Sequence, residues 1–132
     1  MLLNYQKNVS MRVNELMIGD WVLFNGNSKK VTSLLVTDLG VDQIYVFGKS
    51  CQVATINEYI EPIPLTAKIL EKNFRADKQW GENGWFVNDH IHIYQVTTGV
   101  YNIQYMEIVN IQYVHELQHA LKLCGIDKEI EL

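Results

Sequence analysis

Short β-prone runs punctuated by turn signals fill the first half of the chain and leave few folds open to it. Trp21-Val22-Leu23-Phe24 is followed at once by Asn25-Gly26-Asn27, residues that accept the positive φ of a tight hairpin turn. Gly19-Asp20 precedes this run. Asp38-Leu39-Gly40 and Gly48-Lys49-Ser50 separate three more, Lys30 to Val36, Gln43 to Phe47 and Cys51 to Ala54. Strands this short, with turns every roughly eight to twelve residues, pair with their chain neighbours. The pattern predicts a small curled antiparallel sheet, an SH3-like barrel over residues 15 to 63, with a helical turn in Asn57-Glu58-Tyr59-Ile60 near its end.

Glu61-Pro62-Ile63-Pro64 then reads as an extended linker, because each proline fixes its own φ and pushes its predecessor towards β. Thr66 is placed to cap a short helix that ends near Asn73, with Leu65 and Leu70 as a hydrophobic staple, Ile69 and Leu70 facing inwards and Phe74 anchoring the exit. Arg75 to Gly84 is polar and reads as a surface loop. Three β-like runs follow, Trp85 to Asn88, Ile91 to Thr97 and Tyr101 to Val109, with Thr98-Gly99 turning the chain between the last two. Tyr113 to Cys124 has helical spacing, with Val114, Leu117, Leu121 and Cys124 on one side, and Gly125 closes it. Lys128 to Leu132 alternates in a way that permits a last edge strand. The expected fold is therefore mainly β, α+β in class. An SH3-like β-rich half (1–63) precedes an α+β half (64–132), in which an amphipathic C-terminal helix packs on a short antiparallel sheet. Whether the halves share one core stays open.

The C-terminal helix contains His115-Glu116-Leu117-Gln118-His119, which fits H-E-x-x-H, the pattern in which two histidines one turn apart bind zinc and the glutamate acts as base. On a helical wheel His115 and His119 lie nearly opposite the apolar stripe, beside Gln118 and Lys122, where a docked helix meets water. A catalytic zinc needs a third protein ligand, and none is evident. The extended motif wants glycine where Lys122 stands, while Glu129 and Glu131 fall past the helix end. His90 and His92 alternate along a strand and supply ligands only if all four histidines converge; the plainer reading puts them on the outer face of a half-buried sheet. A zinc-dependent hydrolase using His115, His119 and Glu116, with His90 or His92 as a further ligand, is thus the alternative reading, and an ordinary packing helix the preferred one.

The 132 residues carry a formal net charge of −4, with 48% hydrophobic and 20% charged residues, an ordinary globular composition. The adjacent basic pair is Lys29-Lys30. Nucleic acid is a poor default partner for such a chain, since non-specific binding rests on neutralising several phosphates. The N-terminal stretch lacks the apolar run of a signal peptide and no stretch reaches membrane-spanning length, so a cytoplasmic protein without a membrane partner is expected. Cys51 and Cys124 are far apart among apolar neighbours and read as buried free thiols.

Leu16…Gly19-Asp20-Trp21-Val22 at the start, Pro62-Ile63-Pro64-Leu65-Thr66…Ile69-Leu70…Asn73-Phe74 in the middle and Tyr113-Val114-His115-Glu116-Leu117-Gln118-His119 near the end form an ordered set of motifs over most of the chain. The set resembles a group of small uncharacterised proteins of Bacteroides-type gut bacteria and their phages or mobile elements. In that group the middle motif usually reads Leu-x-x-Asn-Gly-Phe; here the glycine is absent, which puts the helix exit in doubt. The last motif commonly reads Tyr-Val-His-Gln-Leu-Gln-Asn there, without the base or the second histidine. The resemblance implies that Glu116 and His119 are tolerated variants, and it implies no activity.

These readings favour a non-enzymatic protein-interaction or assembly module with an unidentified protein partner. No phosphate-cradling glycine loop and no paired nucleophile and base is recognisable. Trp21, Trp85 and Tyr59 are aromatic candidates for a contact surface, although core packing is the commoner fate of the two strand tryptophans. Trp80, inside a polar stretch, is the favoured exposed anchor. Nucleic-acid binding through the small barrel is a second alternative.

Overall fold

A computed structural model describes residues 11, 15–35, 43–47, 52–56, 59–77, 83–104 and 108–132. These residues form a mainly β, α+β protein: ten strands and two helices, with the strands in two antiparallel sheets. The chain divides into two compact units, Met1–Ile63 and Pro64–Leu132.

In the first unit, β1 (Trp21–Phe24) and β2 (Asn27–Leu35) form a hairpin in which Trp21 opposes Lys30 and Phe24 opposes Asn27. Asn25 (φ 52°) and Gly26 (φ 76°) make the turn, both in the left-handed region that a two-residue hairpin loop needs. β3 (Gln43–Phe47) pairs with β2, and β4 (Gln52–Ile56) with β3. Tyr59 sits in a 3₁₀ turn that leads into β5 (Ile60–Pro62), which returns to pair with β1. The order is β4-β3-β2-β1-β5. Among the described residues no ladder joins β4 to β5, so the barrel expected from the sequence is not closed by these strands.

Two local departures have physical causes. The proposed linker begins as a strand: Pro62, opposite Val22, lies on the sheet edge, where a residue without an N–H is tolerated. In β2, Val31 is buried and Leu34 also packs against the core, three residues apart, which strict alternation forbids. A register shift between Val31 and Ser33 supplies the extra residue that brings Leu34 round. The core of this unit holds Met11, Leu16, Val22, Val31, Ile44, Val46 and Ile60. Burying each such side chain contributes about 1.5–3 kcal/mol.

The Gly19-Asp20 turn is pinned to this hairpin. The Gly19 N–H donates to Val31 O (2.8 Å), Val31 N–H donates back to Asp20 O (2.9 Å), and the buried Asp20 carboxylate accepts from Met17 N–H (2.8 Å). Gly19 has φ +96°, a conformation that excludes most side chains.

The second unit begins with α1 (Ala67–Asn73), capped by the Thr66 hydroxyl, which accepts from Ile69 N–H at 3.2 Å. Leu70 is fully buried, Ile69 only half-buried, and Phe74 closes the helix by donating to Leu70 O at 2.8 Å. No glycine is needed at this exit because Phe74 is extended (φ −136°). The expected surface loop after it starts as a strand. β6 (Arg75–Ala76) pairs with β7 (Gly84–Phe86), and the sheet continues through β8 (His92–Thr97) and β9 (Val100–Ile103) to β10 (Ile108–Ile111). The single long run expected from Tyr101 to Val109 is thus two antiparallel strands. Trp85, Ile93 and Ile103 stand in register across one face, with Tyr101 opposite Ile111 in the next row, and all five are buried.

α2 (Val114–Leu123) buries Val114, Leu117, Ala120 and Leu121. It ends as its sequence asks: Gly125 (φ +74°) donates to Lys122 O and Ile126 N–H to Leu121 O, at 3.0 and 2.9 Å. The tail does not form the edge strand its alternation permits. The Asn73 side chain takes the place of a pairing strand, donating to Glu131 O and accepting from Glu131 N–H, both at 2.7 Å, while Ile130 is buried.

Candidate functional site

The HELQH residues are absorbed into the construction of α2. Glu116, in the first turn, accepts from the N–H groups of Gln112 (2.8 Å) and Tyr113 (3.0 Å), so its carboxylate holds the orphan donors at the helix start. His115 corrects the helical-wheel expectation. It is buried, 6% exposed, because the Tyr113 ring stacks on it with centroids 5.9 Å apart and 18° between planes. His119 is half-buried and meets His115 edge-on, with centroids 5.6 Å apart. An imidazole covered in this way is poorly placed to present an open metal position.

The strand histidines lie elsewhere in the unit. His90 falls outside β8, in an exposed bend where its N–H and that of Ile91 donate to the Asn88 side chain, at 2.8 and 2.9 Å. His92 opens β8, on the face opposite Ile93, and its Nδ1 is directed at Oδ2 of Asp77. Asp77 is completely buried at the end of β6, and its N–H donates to Gly84 O at 2.8 Å. The Phe86 ring meets His92 edge-on at 4.6 Å, and the Arg75 guanidinium lies 4.6 Å from the centre of the Phe86 ring. The bulk of His92 is therefore covered rather than solvated. Among the described residues, no three His, Cys, Asp or Glu side chains gather where they can hold a metal ion, so the four histidines do not converge.

Cys124, at the end of α2, is a free, half-buried thiol whose pKa burial pushes up, which leaves less thiolate than at an ordinary cysteine. Trp80 and Cys51 lie outside the described residues.

A surface cavity of about 360 Å³ occupies one end of the β1–β2 hairpin, lined by Trp21, Ser28, Lys29 and Lys30. Trp21 and Lys30 are directly opposed, and opposed residues share a sheet face. The Lys30 ammonium lies 5.1 Å from the centre of the Trp21 ring, a cation–π contact. Trp21 is only half-buried, unlike Trp85 at 1% exposure. The core fate expected for both strand tryptophans holds for Trp85 alone. The signal for Trp21 was present in the chain: Val22 takes the inward position, so its neighbour must point outwards. Earlier in the chain, Met17 and Ile18 are 41% and 63% exposed on the turn held by Asp20.

Comparison with protein-family models, curated proteins and solved structures found no match to this chain. No helix among the described residues is long and apolar enough to cross a membrane.

Proposed function

We propose that the chain is a non-enzymatic protein-interaction or assembly module, cytoplasmic and of phage or mobile-element origin, whose first unit is an SH3-like sheet that carries the contact surface. The observation behind this reading is the Trp21 cavity. It places a half-buried indole and a lysine stem on one outer sheet face, in a strand that follows a hydrogen-bonded turn exposing Met17 and Ile18. Half-exposed tryptophan in a rigid setting is the kind of group that dominates interface energies. The strand order β4-β3-β2-β1-β5 and the 3₁₀ turn before β5 are in keeping with an SH3-like chain path. The ordered motifs shared with the Bacteroides and phage group support the origin. The commitment of Glu116 and His115 to the helix weighs against the hydrolase alternative.

The test is selection from a random-peptide display library, run in parallel on the intact chain and on Trp21→Ala. Enrichment of a shared sequence pattern on the intact chain, lost in the variant, is expected. Equal enrichment on both would remove the Trp21 surface from the account of function.

A further inference from the structure

We infer that Asn25 is a self-modification site: the Asn25-Gly26 turn loses ammonia through a cyclic imide and takes up water, leaving aspartate or isoaspartate at the tip of the β1–β2 hairpin. The sequence holds two Asn-Gly dipeptides, Asn25-Gly26 and Asn83-Gly84, which are chemically alike in an unfolded chain. Glycine opens this route because no Cβ hinders the backbone nitrogen that must attack the asparagine side chain. The fold then separates the two.

At the first dipeptide both residues are exposed, and nothing lies within 4 Å of where a Cβ would stand on Gly26. They form the two-residue loop beyond the Phe24–Asn27 pair, so their shared peptide can rotate without breaking a ladder bond. Its carbonyl, Asn25 O, accepts only a long bond of 3.4 Å from the Asn27 side chain. To react, Asn25 must leave its φ of 52°, a local rearrangement that costs little at an exposed loop tip. At the second dipeptide Asn83 is exposed too, but Gly84 is buried as the first residue of β7. Asn83 O accepts from Gln95 N–H and Gly84 O from Asp77 N–H, both at 2.8 Å. Rotating that peptide into an attacking position breaks the bond to Gln95 and pulls Gly84 from its place opposite Tyr94. Exposure of the side chain is the same at both sites; freedom of the backbone is not.

The steps balance with water as co-reactant. Gly26 N gives its electron pair to Cγ of Asn25, the new N–C bond forms, Cγ–Nδ2 breaks, and the displaced nitrogen leaves as ammonia with the proton that Gly26 N gave up. Water then opens the ring. Opening at Cγ gives aspartate, and opening at the main-chain carbonyl gives isoaspartate, whose backbone runs through Cβ and Cγ. Either product exchanges an amide for a carboxylate. Isoaspartate also lengthens a loop whose hairpin geometry depends on two residues of positive φ. The Phe24–Asn27 pair is therefore the first to open, and the β1–β2 register loosens from that end.

The test is a timed incubation of the full chain at neutral pH, folded in buffer and unfolded in urea. Peptide mass mapping with fragmentation locates each converted asparagine, and an isoaspartyl carboxyl methyltransferase with labelled S-adenosylmethionine reports isoaspartate. In the folded chain Asn25 is expected to convert at least about tenfold faster than Asn83, and in urea the two rates should converge. Asn25→Gly, which accepts the positive φ and removes the amide, should lose most of the methyl label. Equal rates in the folded chain, faster conversion of Asn83, no conversion of Asn25, or undiminished label in Asn25→Gly overturns the inference. Hydrogen exchange on the isoaspartyl form reads the consequence. The amides of Phe24 and Asn27 should lose protection at least about tenfold while those of β8 and β9 keep theirs, and unchanged protection overturns the loosening of the hairpin.

Discussion

The buried carboxylate of Asp77, at the end of β6, faces Nδ1 of His92 on β8, so that one side-chain pair ties together strands separated by β7. Removing the imidazole takes away the group that faces this buried side chain and the ring that packs on Phe86, so the position carries a real mutational cost. His92→Ala should destabilise the protein by about 2 kcal/mol, whereas His90→Ala, exposed in the preceding bend, should stay within about 0.5 kcal/mol. Urea unfolding of the two variants checks this; equal, small losses would mean that Asp77 is held well without the imidazole.

Glu116 separates a structural from a catalytic role by substitution. Glutamine can still accept the N–H groups of Gln112 and Tyr113, so Glu116→Gln should cost a few tenths of a kcal/mol, and Glu116→Ala about 1 kcal/mol. Thermal unfolding reads the difference. A zinc-dependent hydrolytic activity abolished by Glu116→Gln in a fully stable protein would reverse the assignment.

Asn73 holds the tail through the Glu131 backbone, and also donates to Ile69 O at 2.8 Å. Asn73→Ala should strip hydrogen-exchange protection from Glu131 while leaving the strand amides of β8 and β9 protected, at a cost of about 2 kcal/mol. Unchanged exchange at Glu131 would show that burial of Ile130 alone secures the tail.

Burial at 2% exposure raises the pKa of Tyr101 above its ordinary value of 10.0, because the phenolate would lie in apolar surroundings. The folded state then keeps a proton that the unfolded state gives up. Stability from this group is fully present below about pH 10 and is lost as pH rises from there through the folded pKa. Tyr101→Phe should flatten the alkaline side of the stability curve. An ultraviolet titration in which every tyrosine ionises near 10 while the protein remains folded would contradict the burial.

Much of the local structure was legible in the sequence. Asn25-Gly26, Thr66 and Gly125 each do what their chemistry demands, because a turn or cap depends on a few consecutive residues. What escaped were features settled by distant partners. β6 is too short to show a period and becomes a strand only because Phe86 and Trp85 lie opposite it. His115 looked solvated on a wheel because the wheel omits the Tyr113 ring that covers it. The Asp77–His92 pair joins residues whose proximity no spacing rule encodes. The Trp21 surface was half legible: the alternation gives its direction, but only the hairpin register sets Lys30 across from it.

The most direct measurement is an amide and indole NMR map of the intact chain titrated with a peptide enriched from the display library. The expected shifts fall on the Trp21 indole and on Ser28, Lys29 and Lys30, the groups that line the cavity. Shifts confined to His115, Glu116 and His119 on α2, with the Trp21 signals unmoved, would contradict the interaction surface and return attention to the helix.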